Sequence, residues 1–145
     1  MSRLSLDPMT EKTIVILEGD QTGQELLEES LRVLDPAVTG VPALFQRFDL
    51  SLGKRRATNN GVVREAAAAM RAAGLGLKAA TVTPETGGDV GSPNATLRVR
   101  EEMDGKVILR TGRRIPHMRP VGGVHAPIAV VRMAVDDAYG AKEWR

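Results

Sequence analysis

The run Thr13-Ile14-Val15-Ile16-Leu17 constrains this chain more than any other feature. β-Branched side chains are stiff at χ1 and pack well on a pleated surface, so the run favours a strand. It is apolar at successive positions, not alternate ones, as expected for a parallel strand covered on both faces. Glu18-Gly19-Asp20-Gln21-Thr22-Gly23 then reads as a turn. Residues 24–34 follow as a helix with Leu26, Leu27, Leu31 and Leu34 at helical spacing, and Pro36 stops it.

The same alternation continues. Residues 43–50 alternate as a second strand, and Asn59-Asn60-Gly61 marks a turn. An Ala-rich helix over 62–73 ends at Gly74 and Gly76, and residues 77–83 form a third strand closed by Pro84. A glycine-rich loop spans 86–91. Residues 94–103 read as a helix, with Ser92 as its cap and Pro93 in its first turn. Residues 106–109 and 128–133 are strand-like again. The expected fold class is α/β, a layered sheet with flanking helices.

Composition removes several alternatives. A chain of 145 residues suits one ordinary domain, and 42% apolar with 26% charged residues excludes a disordered or collagen-like chain. No apolar run approaches the ~20 residues of a membrane span. The N-terminal residues lack the apolar stretch of a signal peptide, so the expected location is the cytoplasm, with no membrane partner. With no Cys there is no disulfide framework or thiolate metal site.

Charge is divided unevenly. Residues 1–90 carry 10 basic and 12 acidic side chains; residues 91–145 carry 10 basic and 6 acidic, and eight of those late basic residues are Arg. Guanidinium forks fit carboxylate and phosphate. Nucleic acid is not expected as a partner, because the arginines are scattered over several elements and aromatics make up only 3%. No G-x-G-x-x-G follows the first strand, and no P-loop or G-x-S-x-G elbow is present. His117 and His125 read as ordinary loop residues.

One polar series stands out: Ser92-Pro93-Asn94, then Arg98, then Arg110 and Arg132 toward the ends of two strands, then Tyr139. A buried unpaired charge is expensive, so arginines at strand ends point to an anion such as a small polycarboxylate. The same residues would also serve as solvated surface ion pairs, and spacing alone favours that plainer reading.

The segments GSPNATLR (91–98), GKVILR (105–110) and PIAVVRMAVDDAYGAKEW (127–144) resemble the β-decarboxylating dehydrogenases, the family of isocitrate, isopropylmalate and homoisocitrate dehydrogenases. Ile14-Val15-Ile16-Leu17-Glu18-Gly19-Asp20 resembles their first strand and Gly-Asp turn, and Leu77-Lys78-Ala79-Ala80-Thr81-Val82-Thr83-Pro84 their nucleotide-side loop. The Thr-x-Thr-Pro loop, Ser-Pro-Asn, Arg98 and the Arg132…Tyr139 spacing are most similar to isocitrate dehydrogenases.

The resemblance implies that Ser92, Asn94, Arg98, Arg110 and Arg132 grip substrate carboxylates. It implies that Thr83 lies near substrate and nicotinamide, and that Lys78 lies on the cofactor side. Tyr139 corresponds to the acid that protonates the enol left after decarboxylation. The implied cofactors are NAD or NADP, with Mg²⁺ or Mn²⁺ held by ligands expected outside this chain; the implied assembly is a homodimer. Arg100 is the alternative to Arg110, and the adjacent Asp136 and Asp137 read as solvent-facing.

Family members are about twice this length or more, so the chain reads as their N-terminal part: residues 1–119 in the large domain, 120–145 entering the small one. The chain by itself is then expected to be inactive. The competing reading is a short non-catalytic paralogue that binds a polycarboxylate or a partner subunit.

Overall fold

A computed structural model describes residues 10–84, 89–94, 107–124 and 126–133. The chain divides into two compact units, Met1–Met103 and Asp104–Arg145. In the first, β1 (Lys12–Glu18), β2 (Ala43–Asp49) and β3 (Gly76–Lys78) form a parallel sheet in the order β2-β1-β3. Between them lie α1 (Gln21–Leu34), α2 (Pro36–Thr39), α3 (Leu52–Ala57) and α4 (Gly61–Ala73). The α/β class expected from the alternation is the one observed.

The central strand serves two cores. Val15, Ile16 and Leu17 are each 0% exposed, because successive side chains leave a strand on opposite faces and both faces are covered. Val15 and Leu17 pack with Leu50 and with Val62, Val63, Ala66 and Ala67 of α4. Ile16 packs with Leu27 and Leu31 of α1 and with Ala79. The chain runs from β1 to β2 in one direction and back past β1 to β3 in the other. Right-handed crossovers therefore place α1 and α4 on opposite faces.

Both main helices end where their sequence dictates. Gly74 takes a left-handed φ of 75° and donates its N–H to Met70 O, the glycine cap expected after α4. The chain leaves α1 through Asp35 and Pro36, and the Asp35 side chain caps the single turn of α2. Arg47 of β2 bridges Glu18 and Glu28, holding the Glu28 carboxyl below its ordinary range.

Four details differ from the sequence reading. Helix α1 begins at Gln21 instead of Gln24. Leu26 and Leu34 of the helical leucine series face solvent, at 65% and 37% exposure, while Leu27 and Leu31 are buried. The short α2 and α3 carry too little periodicity to be read. The third strand stops at Lys78 instead of Thr83, since beyond Ala79 the backbone bonds to the turn after β1 and to a side chain.

In the second unit β4 (Val107–Gly112) and β5 (Ile128–Met133) pair antiparallel, with Ile108 opposite Arg132 and Arg110 opposite Val130. Val107, Leu109, Ile128, Val130 and Val131 are exposed on this ribbon. Among the described residues no helix is long and apolar enough to cross a membrane.

Candidate functional site

Parallel strands bring their carboxyl ends to one edge, where open α/β sheets bind ligands. Three connections gather there in the first unit: Gly19 and Asp20 after β1, Leu50 and α3 after β2, and residues 79–84 after β3. The approach of the first and third is unusually close. A Cβ on Gly19 would fall 2.0 Å from Ala80 O, and one on Gly23 would fall 2.6 Å from the same oxygen. Only glycine lets the start of α1 lie against that backbone. Asp20 N donates to Ala80 O at 3.0 Å across this contact.

Asp20 occupies the cap position of α1 without bonding to that helix through its side chain. Its carboxylate turns outward instead. Oδ1 accepts from Leu52 N at 3.0 Å and Oδ2 from Val82 N at 2.9 Å, tying the start of α3 to the third connection. Gln24, in α1, reaches back to the connection before the helix, where its Oε1 accepts from Gly19 N at 2.9 Å.

Arg55, in α3, is completely buried. Its Nε donates to Leu50 O at 2.9 Å, one terminal nitrogen to Gly91 O at 2.8 Å, and the other to Val82 O at 2.5 Å. That second nitrogen also lies 3.9 Å from Asp20 Oδ2. Burial lowers the Arg55 pKa from its ordinary value, with the charges of Asp20 and Asp89 opposing the shift. A buried cation is tolerated here because its donors meet carbonyls and a carboxylate is near.

The neighbours of Arg55 hold the same loop. Arg56 grips Asp89 through two nitrogens, the shortest contact 2.6 Å, and this hydrogen bonding holds the Asp89 carboxyl below its ordinary range. Asn60 donates from Nδ2 to Val90 O at 2.7 Å. Asp89, Val90 and Gly91 are thus each held by a different side chain from residues 55–60.

The expected site residues fall into two groups. In the first unit, Lys78 is half-buried and donates to Ala79 O at 2.8 Å and Thr81 Oγ1 at 3.3 Å. Burial pushes its pKa down, the charge of Arg55 adds to that, and Asp20 opposes it. Thr83 is exposed and directly follows the tethered Val82. Ser92 directly follows the tethered Gly91, and its Oγ accepts from Asn94 N at 3.3 Å, as a helix cap does. Pro93 is buried and Asn94 exposed.

In the second unit the ladder register decides the geometry. Residues directly opposite share a face, and so do residues two apart on one strand. Arg110 and Arg132 therefore stand on one face of the ribbon as diagonal neighbours. Arg110 is exposed at mid-strand rather than at a buried strand end. Arg98, Arg100, Asp136, Asp137 and Tyr139 lie outside the described residues.

Asp20, Arg55, Arg56 and Asn60 were missed in the sequence. Asp20 and Asn60 were read only as parts of turns, and the Lys54-Arg55-Arg56 run between the second strand and the Ala-rich helix carries no motif that marks it.

A family model for isocitrate/isopropylmalate dehydrogenase matches residues 13–144. The chain belongs to the isocitrate/isopropylmalate dehydrogenase family. Among relatives, an isocitrate dehydrogenase [NADP] of Sphingobium yanoikuyae is 33% identical over 109 residues, covering 68% of this chain and 26% of that protein. A mitochondrial isocitrate dehydrogenase [NADP] of Aspergillus niger is 31% identical over 139 residues, covering 90% of this chain and 27% of that protein. This family chain spans about a quarter of the length of those relatives.

Proposed function

We propose that this chain belongs to an enzyme that oxidises an isocitrate-like 2-hydroxy acid with NADP and releases CO₂. One observation carries the reading. In a chain matching this family over 13–144, the segments bearing Lys78, Thr83, Ser92 and Asn94 are tied together at the carboxyl edge of a parallel sheet. Both relatives named above are NADP enzymes, which favours NADP over NAD.

In this reading Arg98, Arg110 and Arg132 grip the carboxylates, and Ser92 and Asn94 complete the hold. Bidentate guanidinium contacts fix the acid so that its C2–H bond faces the nicotinamide side, where Thr83 stands. Lys78 fits a place beside the cofactor: an ammonium has three donors, and two are used on Ala79 O and Thr81 Oγ1. Bound NADP would supply the hydride acceptor for C2, and the proton of the C2 hydroxyl is assigned to a base elsewhere in the full-length enzyme. Tyr139 then gives its hydroxyl proton to the enol carbon left as CO₂ departs. Among the described residues no group of three or more His, Asp or Glu could hold a metal ion, and Mg²⁺ or Mn²⁺ is assigned to carboxylates elsewhere in the full-length enzyme. Family likeness supports a homodimer.

The test uses the full-length enzyme with a panel of 2-hydroxy di- and tricarboxylates, following NADPH and CO₂ together. Equal yields with an isocitrate-like acid are expected; NADPH without CO₂ overturns the reaction type. Tyr139→Phe keeps the ring and removes the proton donor, so kcat should fall about 100-fold with the affinity for the acid little changed. A near-normal kcat removes Tyr139 from the mechanism.

A further inference from the structure

We propose that Arg55, assisted by Asn60, is a positioning residue that sets the nicotinamide-side loop bearing Thr83 and the acid-binding loop bearing Ser92 in register with each other. The proposal rests on the dehydrogenase reading above and goes beyond it, because Arg55 touches neither acid nor cofactor there.

The residues on either side of the proposed contacts carry the argument. Val82 immediately precedes Thr83, and Gly91 immediately precedes Ser92. One guanidinium takes both carbonyls, Val82 O at 2.5 Å and Gly91 O at 2.8 Å, while its Nε is fixed on Leu50 O at the end of the sheet. Asp20 holds the Val82 peptide from its other side by accepting its N–H. Asn60 holds Val90 O, one residue from the Gly91 anchor. Residues 81–84 and 89–92 lie in neither strand nor helix, so these side chains replace the backbone partners that regular structure would supply.

The choice of residue is informative. An apolar side chain of similar volume commonly serves stability as well as a buried ion pair does. What it lacks is a planar fork that binds three carbonyls in fixed directions. Lysine carries the same charge on a flexible stem and presents no such fork. Small displacements of substrate-holding groups reduce rate by up to about 100-fold, so holding two loops in one plane has a direct use in this reaction.

A double-mutant cycle on the full-length enzyme tests this. Arg55→Lys, Ser92→Ala and the double variant are compared for kcat, KM of the isocitrate-like acid and KM of NADP, with thermal midpoints measured alongside. Arg55→Lys is expected to raise KM for the acid about 10-fold or more, with a smaller effect on NADP. Since Arg55 acts in part through Ser92, the double variant should lose less kcat/KM than the two single losses added together. Independent losses that add, in an enzyme still folded, overturn the proposal.

Asn60→Gly supplies a second arm should Arg55→Lys not fold. Asn60 has a left-handed φ of 60°, which suits glycine, and its Oδ1 is buried without a hydrogen-bond partner among the described residues. The variant is expected to fold and to raise KM for the acid several-fold; unchanged KM overturns the Val90 anchor and with it the positioning role. A wild-type enzyme inactive on every acid overturns the dehydrogenase reading itself. Activity with an additive cycle overturns only the role of Arg55.

Discussion

Alanine at Gly23 sets helix propensity against sterics, and the two predict opposite signs. Gly23 lies in the first turn of α1, where Ala is intrinsically better than Gly by about 1 kcal/mol. The added Cβ, however, would meet Ala80 O at 2.6 Å, Ala80 Cβ at 2.8 Å and Ala80 Cα at 3.0 Å. Most of those atoms are backbone, which cannot swing aside like a flexible side chain. Overpacking of this kind costs about 1–3 kcal/mol, and pushing α1 outward also stretches the Asp20 N···Ala80 O hydrogen bond, worth about 1 kcal/mol. Gly23→Ala should therefore destabilise the full-length protein by about 1–3 kcal/mol despite its better propensity. Gly53→Ala is the matched control: Gly53 is also helical, in α3, but its Cβ would meet nothing within 4 Å. It should stabilise by about 0.5–1 kcal/mol. Urea titrations at constant m-value read both. If Gly23→Ala proves as stable as Gly53→Ala, the close contact between α1 and residue 80 is wrong.

Leu50→Ala removes a fully buried side chain from the core shared by β1 and α4 and should cost about 2–5 kcal/mol, read from the same titration. Hydrogen bonding from Arg56 holds the Asp89 carboxyl below the ordinary carboxylate range, so this pairing stabilises the fold above that range and the gain is lost as pH falls through the lowered folded pKa. Arg56→Ala should accordingly lower the unfolding midpoint at pH 7, and the difference from wild type should shrink as the pH is lowered into the range where Asp89 takes up its proton. Lys78→Met should raise KM for NADP while the thermal midpoint holds or rises, because it removes a half-buried charge; an unchanged KM takes Lys78 away from the cofactor.

Legibility in the sequence followed the physics of each element. β1 was readable because an unbroken apolar run has few other uses, and α4 because Val62, Val63, Ala66 and Ala67 repeat at helical spacing before a glycine cap. The face of α1 was readable only in part. Periodicity marks which leucines lie near one face of the helix but not how far the core reaches around it, and of the four only Leu27 and Leu31 are buried. For the site, Lys78 and Thr83 came from resemblance, Ser92 and Asn94 stood out in the polar series and took their role from resemblance, and Arg110 and Arg132 share a face only once the ladder register is known. Arg55 was illegible for a general reason. Arginine is a surface residue by default, and nothing local says that three carbonyls from distant segments will close around it.

The order of strands in the first sheet also governs when this unit can form. β1 is made first, yet its partners arrive late: Lys12 pairs with Ala43, and Val15 with Gly76, roughly sixty residues further along the chain. Neither core is complete earlier, since one needs Ala79 and the other needs α4. On a ribosome the run from Thr13 to Leu17 must therefore wait, apolar and unpaired, for several seconds at ordinary synthesis rates of about 5–20 residues per second. A strand built to be covered on both faces is the segment most exposed to mispairing in that interval, and the one a chaperone would be expected to hold.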